Sequence, residues 1–396
     1  MALALAAMLA GRLGFSGIPI YIAAGIVLGP SKPFPEFITP GPAVEILADL
    51  GIVLLLFFLG LEFSIERLTQ ARRLVVVGGV VDLVVCAGAG LLVGIALLGV
   101  TTEAVIVAGL LYISSSGIIS QALFDFRRLA DDETDLVLGI LVFEDLAIAL
   151  FLGVAVAITA GTEVSPLQIG GTAAIVIGFV AAFLVASRYA HHLLDRVTPR
   201  LGREQLLLAT LAVAIGAAAA AEHLGLSEAV GALLAGILLS GSEVRDRIEE
   251  QLLGLRDFAA AVFFFAFGLQ IDLSYTDDVG VWLLVAVPIA VAAKVVAGFA
   301  AGRLNQFTRR QSLTTGLTLV SRGEFTIILA QLAAVGAALD PTFRDRIGPF
   351  AGLVVLSTAI LGVLLMRESR RLGRIVFPSP AKRRAAREGG ASAGGA

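Results

Sequence analysis

The sequence predicts an all-α polytopic membrane protein of about thirteen transmembrane helices, built from two inverted repeats with two crossed, discontinuous helices. Three observations point there: long apolar runs, a one-sided placement of positive charge, and an internal echo at an offset near 210 residues.

Of the 396 residues, 58% are hydrophobic and 15% charged, with a mean hydropathy of +0.93. Soluble domains sit nearer roughly 45–50% apolar and about 25% charged. The apolar residues gather into runs, many near the ~20 residues that cross a bilayer. These fall at about 1–11, 17–30, 43–63, 74–99, 103–124, 135–160, 166–187, 204–222, 226–241, 256–271, 279–302, 311–338 and 347–366. The first is short for a full crossing. It lacks a basic n-region and leads straight into more membrane, so no cleavable signal peptide is expected. The single cysteine, Cys86, lies within an apolar run, which excludes a disulfide framework or a C-x-x-C site. No G-x-G-x-x-G, P-loop or zinc spacing occurs. Neither a cofactor nor a nucleic-acid partner is expected, and the bilayer is the expected surrounding.

Orientation follows from Lys and Arg in alternate loops. One set of loops and the C-terminal tail hold 24 of the 29 basic residues, from Arg12 through Arg67, Arg127, Arg188, Arg245 and Arg303 to Arg387. The opposite loops hold three: Lys32, Arg344 and Arg346. A miscounted span would scramble that split, so the N-terminus is expected outside and the C-terminus cytoplasmic, in the inner (cytoplasmic) membrane. The membrane domain is expected over 1–376, with one repeat at about 1–160 and the other at about 204–367. Residues 377–396 form a basic, Gly/Ala-rich tail expected to be disordered.

The echo is direct. LGFSGIPIYIAAGIVLG at 13–29 and LGLSEAVGALLAGILLS at 224–240 share seven of seventeen positions at an offset of 211. FFLGLEFS around Gly60 answers FFFAFGLQIDLS around Gly268 at an offset of 208. The second span then corresponds to the ninth and the third to the tenth. Seven helices is an odd number, so the copies run through the membrane in opposite directions. Secondary transporters use this construction, with the binding site near the midplane. Chance likeness between helices rich in small residues is the alternative.

Charges within spans carry the chemistry, because each costs about 2.5–3.5 kcal/mol at the bilayer centre on insertion scales. The candidates are Asp49, Asp82, Glu144, Asp145, Lys294, Arg322 and Glu324. Glu144 and Asp145 are adjacent within LVFEDLAIALFL, so on a helix they point about 100° apart. One can face an aqueous cavity while the other turns to a buried partner. Desolvation and mutual repulsion both penalise the charged form and favour uptake of a proton or a cation. A carboxylate that holds one or the other, but not both, is the minimal machinery of exchange. Alkali ions favour oxygen ligands, so Asp145 and Glu144 are both candidate ion- and proton-binding residues, and with Glu144 neutralised by Lys294 the cation site expected is Asp145. The bland reading is a fixed ion pair with Lys294 and Arg322. Lys294 is expected to neutralise Glu144 or to serve as a structural charge. Arg322 stays protonated and is expected to hold Glu324 or Glu144 and brace the helix. Asp82 reads equally as pocket lining or function. Asp49 and Glu62 fit a cavity or helix end, and His191, His192 and His223 read as solvated.

Ser114-Ser115-Ser116-Gly117 and Ser321-Arg322-Gly323-Glu324 interrupt two apolar spans with poor helix formers. Their spacing of 207 puts both at matching repeat positions. Broken helices expose backbone carbonyls that can coordinate a cation, and membranes tolerate them only inside protein or along a cavity. Ser114, Ser115 and Ser116 are therefore candidate ion-binding residues, and Gly117, Ser321 and Gly323 candidate unwound positions. Helix packing through small residues is the competing explanation for the serines.

GIVLGP (25–30), LLLFFLGLEFS (54–64), SSSGIISQAL (114–123), VFEDLAIAL (142–150), LGLSEAVGALLAGILLSGSE (224–243), FFFAFGLQIDL (263–273) and SRGEFTIILAQL (321–332) run in this order along nearly the whole membrane part. Together they resemble the monovalent cation:proton antiporter-2 family, the Kef-type potassium/proton antiporters and their relatives. The resemblance implies a thirteen-helix sodium/proton-antiporter fold, a homodimer, and a core domain moving like an elevator against a dimerisation domain. It carries the ion-binding aspartate to Asp145 and the crossover to the two interrupted segments. Glutathione-gated members usually have Gln-Asp where this chain has Glu144-Asp145, and a neutral residue in place of Arg322. The SRGEF form is more similar to potassium or ammonium/proton antiporters that work with a separate cytoplasmic regulatory subunit. The short tail could not form the nucleotide-binding domain that often ends family members.

The implied activity is antiport of K+ or Na+ against H+, not enzymatic chemistry. A channel-like potassium efflux protein and a sodium-coupled solute symporter on the same fold are the rivals. An intramembrane enzyme lacks any accompanying nucleophile or metal spacing. Spacing does not rank potassium, sodium and ammonium.

Overall fold

The computed structural model describes residues 17–29, 41–62, 72–161, 201–224, 228–240, 245–269 and 276–378, with isolated positions elsewhere. Among these residues the chain is helical and no strand occurs. In chain order the helices are α1 (Ile18–Leu28), α2 (Pro42–Glu62), α3 (Arg72–Asp82), α4 (Gly88–Leu98), α5 (Thr102–Tyr112), α6 (Ser116–Asp125) and α7 (Thr134–Ala160). They continue as α8 (Arg203–His223), α9 (Glu228–Ser240), α10 (Arg245–Leu269), α11 (Thr276–Leu304), α12 (Arg309–Thr318), α13 (Glu324–Ala334) and α14 (Pro341–Val376). A π-helical stretch, Leu83–Ala87, joins α3 to α4.

Counting α3–α4 and α5–α6 as one segment each, eight described segments are long and apolar enough to cross a bilayer. Three shorter apolar helices, Ile18–Leu28, Val230–Ser240 and Phe325–Ala334, accompany them. The expected spans at 1–11 and 166–187 lie largely outside the described residues, as do His191 and His192 and nearly all of the tail.

Two helices outrun their apolar stretches. α10 begins at Arg245 rather than near 256, its first turn supported by an Arg245–Glu249 ion pair at 2.8 Å. α14 starts at Pro341, where Asp340 caps it by accepting the Thr342 and Phe343 N–H groups at 2.8 and 3.1 Å. Caps and side-chain pairs set these ends, and apolarity alone does not register them.

The helices pack as two groups. α1, α2, α8, α9 and α10 form one; α3–α5, α7 and α11–α14 form the other, and α6 lies between them, packed against α1 and α2 on one side and α14 on the other. Within the first group, two glycine pairs let backbones touch. A Cβ at Gly25 would strike the Phe265 carbonyl and stand 2.8 Å from the Gly268 Cα. A Cβ at Gly60 would strike the Leu233 carbonyl and stand 2.9 Å from the Gly236 Cα. So α1 crosses α10, and α2 crosses α9, at distances only glycine permits.

Candidate functional site

The site grows from two gaps in the helical ladder. α5 stops at Tyr112, Ile113 and Ser115 are extended, and α6 starts at Ser116. α12 stops at Thr318, and α13 resumes at Glu324 after a non-helical Gly323. Each gap strands backbone donors and acceptors away from water, and every one of them needs a partner.

The two gaps satisfy each other. Ser115 donates its N–H to the Ser321 carbonyl at 2.8 Å. The Ser114 hydroxyl donates to the Leu319 carbonyl at 2.9 Å. Ser115 Oγ caps α6 by accepting the Ile118 N–H at 3.2 Å. Gly323 lies so close to the Ser115 side chain that a Cβ there would collide with it. The broken segments therefore cross in contact.

Charge placement at the crossing follows the helix dipoles. Arg322, fully buried, donates to the Leu111 carbonyl from Nε at 3.1 Å and from Nη2 at 2.8 Å. Its Nη1 donates to the Val320 carbonyl at 3.0 Å. The guanidinium thus sits on the C-terminal ends of α5 and α12 together. Arg322 braces both breaks through the carbonyls that the two gaps release, while Glu144, one of its two expected carboxylate partners, is held by Lys294. The Glu324 side chain lies outside the described residues; its backbone opens α13.

The carboxylates sit at the opposite polarity. Glu144 on α7 accepts the Ser114 N–H on Oε2 at 2.6 Å and the Ser114 hydroxyl on Oε1 at 3.1 Å. Its neighbour Asp145 accepts the Ser116 hydroxyl at 3.1 and 3.2 Å, at the first residue of α6. The adjacent acids thus face different surroundings, as helical geometry requires. Asp145 borders a small space of about 10 Å³ shared with Ser116, Leu56, Leu59, Leu233 and Ile237. That is about the volume open to one water-sized sphere, and it lies between the two helix groups.

Lys294 on α11 completes the cluster. Its ammonium donates to Glu144 Oε1 at 2.5 Å and to Asp82 Oδ1 and Oδ2 at 2.9 and 2.7 Å. All three side chains are 0% exposed. Asp82 also accepts the Cys86 S–H at 3.3 Å across the π-helical stretch, and the Tyr112 ring lies under the ammonium at 5.4 Å. Such stretches occur often at functional sites. Reading the chain left Asp82 ambiguous. The signal that marks it is arithmetic: Asp82 and Lys294 are 212 positions apart, nearly the offset of the echo. Asp49 is exposed on α2, and His223 is exposed at the end of α8. The Glu62 side chain lies outside the described residues.

A helical membrane protein with two crossed helix breaks and buried acids at the crossing has the construction of a secondary transporter. The family described as sodium/hydrogen exchanger, transmembrane, matches residues 1–367, and the chain belongs to it. It is 37% identical over 379 residues to the K(+)/H(+) antiporter subunit KhtU of Bacillus subtilis, covering 94% of this chain and 92% of that protein. It is 29% identical to the ammonium/H(+) antiporter subunit AmhT of Alkalihalophilus pseudofirmus, over 94% of this chain and 91% of that one. Among solved structures, the sodium proton antiporter MjNhaP1 of Methanocaldococcus jannaschii superposes with a TM-score of 0.71 at 15% identity. That match covers 96% of this chain and 95% of the other, and it shows a shared fold.

Proposed function

We propose that this chain exchanges a monovalent cation, potassium or sodium, for protons across the cytoplasmic membrane, with Asp145 binding each in turn. One observation carries the reading: Asp145, in the middle of α7, is buried beside a small space where it meets Ser116, the first residue of a half-helix. The α6 N-terminus and the Ser116 hydroxyl favour a carboxylate there. A carboxylate charge away from water is costly, so a proton or an oxygen-seeking cation neutralises it, and once protonated the carboxyl has lost the charge that would hold the cation.

Ser114 and Ser115 with the backbone around Gly117, Ser321 and Gly323 line the crossing that completes the site, and Glu144 tunes it through Lys294. The glycine contacts support two inverted repeats. The offsets carry Gly25 to position 236 and Gly60 to position 268, so the Gly25–Gly268 contact becomes Gly236–Gly60. Sliding of one helix group against the other moves Asp145 between the two aqueous sides. The N-terminus lies outside and the C-terminus in the cytoplasm, and the protein works as a homodimer. KhtU and AmhT are each named as a subunit, which supports a separate cytoplasmic regulatory partner here. Potassium is favoured over sodium by the identity to KhtU.

In inverted membrane vesicles, added potassium or sodium collapses a preset pH gradient, and Asp145→Asn abolishes the response. Full exchange by Asp145→Asn contradicts the assignment. Single-channel currents without proton coupling favour a channel, and sodium-dependent solute uptake indifferent to pH favours a symporter.

A further inference from the structure

Away from the crossing, α6 meets the first helix group through a charge. Arg256 of α10 is 7% exposed, and its guanidinium stands 5.1 Å over the Phe58 ring of α2 and 4.4 Å over the Phe124 ring of α6. It borders a cavity of about 700 Å³, whose other charged lining residues, among those described, are the acids Asp125, Asp246, Glu249, Glu250 and Asp257. Asp257 accepts from Nε and Nη2 at 2.9 and 2.6 Å. Its side chain is 55% exposed, however, and an ion pair open to water contributes little. A cation–π contact strengthens as the cation leaves water, so the two rings decide where the buried guanidinium rests.

The helices that carry these rings are fastened to different partners. α2 and α10 pack as one body, so closely that a Cβ at Gly51 would strike the Ala259 carbonyl. α6 is hydrogen-bonded at its start to the second group, where Ser115 donates to Ser321 and Ser116 to Asp145. Phe263 stands 3.4 Å from a Cβ built at Gly117, and Arg256 covers Phe124. The two contacts are seven residues apart on each helix and in reverse order, so two turns of α6 run antiparallel to two turns of α10. An apolar contact slides from one apolar neighbour to the next, whereas the guanidinium gives up its ring when it moves. We infer that Arg256 is a positioning residue that latches α6, through Phe124, to the first helix group in the arrangement that opens this cavity, and that Phe124 leaves it when the groups slide. This rests on the antiport reading and names a contact that its motion breaks. Phe124 and Ser116 are eight residues apart on one short helix, about 12 Å, so a hold on the ring sets the place of the hydroxyl that Asp145 accepts.

The test uses the full chain in inverted and right-side-out vesicles. Ala261→Cys, on the cavity wall, is labelled with a membrane-impermeant maleimide; Cys86 is buried, so the chain without the added cysteine is the blank. Labelling is expected in one kind of vesicle only. Arg256→Gln and Phe124→Leu should each slow it by about threefold or more, the scale of one cation–π contact. The two together should slow it no further than either alone, because they remove the same contact. Phe124→Tyr keeps the aromatic face and labels close to wild type. The two changes at Phe124 carry the test where Arg256→Gln does not fold. If Phe124→Tyr and Phe124→Leu act alike, or the double variant adds the two effects, Arg256 only packs and the latch is overturned. Labelling from neither side, or equally from both, overturns it too. A pH dye in the same vesicles separates the two levels: cation movement without protons overturns the antiport reading, and proton-coupled exchange with labelling indifferent to every variant overturns the latch alone.

Discussion

Ser115 gives its backbone N–H to the Ser321 carbonyl at 2.8 Å, so the two helix breaks are hydrogen-bonded to each other across 206 residues of chain. Each gap supplies what the other lacks, and this lets unwound backbone persist inside a membrane. The contact is also tight: no side chain fits at Gly323 beside Ser115.

Gly323→Ala therefore pushes the segments apart and lowers cation-driven proton movement by about tenfold or more, given that ~1 Å displacements cost enzymes on the order of 10²-fold. Adding Ser115→Gly removes the colliding side chain and recovers part of the loss. Fluorescence dequenching in vesicles, normalised to protein amount, reads both variants.

Glu144 holds a lysine and a backbone donor that have no water to turn to. Glu144→Ala orphans the Ser114 N–H and leaves Lys294 with Asp82 alone; breaking a buried charge pair outright typically costs about 3–5 kcal/mol, and this change should cost less than that. Glu144→Gln keeps an acceptor for the Ser114 N–H and loses less. Thermal unfolding in detergent should rank them wild type, Gln, Ala; equal melting temperatures contradict the network.

Arg322 spans the carbonyl ends of α5 and α12 with a planar fork. Lysine keeps the charge but cannot bond both helix ends in that geometry. Arg322→Lys should lose about 1.5–3 kcal/mol of stability for each charged hydrogen bond not replaced. A melting curve identical to wild type contradicts this role.

The glycine crossings separate packing from chemistry. Gly60→Leu drives a side chain into the backbone of α9 and should abolish monodisperse protein on size-exclusion chromatography. Gly88→Ala, whose added methyl would meet nothing within 4 Å beyond its own stretch of helix backbone, should leave yield and transport unaltered. Comparable damage from both changes contradicts the close approach.

The helical membrane architecture is legible in the chain because hydrocarbon demands long apolar runs, and the breaks stand out as polar interruptions near Ser114 and at 321–323; Gly117, expected to be unwound, instead lies within α6, because the Ser115 cap starts that helix at Ser116. Glu144 and Asp145 announce themselves by being charged where charge is expensive. What spacing does not reveal is who meets whom. Lys294 meets Asp82 as well as Glu144, and only the repeat offset hints at that pairing. Arg322 serves carbonyls that exist as free acceptors only once two helices have broken. The early start of α10 escapes because its first turns are charged, and helices end at caps and side-chain pairs as well as where apolarity fades.

Competition between protons and cation at one buried acid is the core of the account. The direct measurement is the half-saturating cation concentration of the wild-type protein in proteoliposomes as a function of pH. It should rise as pH falls, by up to about tenfold per unit where the site binds one proton, with the maximal rate at saturating cation little altered. A half-saturating concentration indifferent to pH contradicts a shared site.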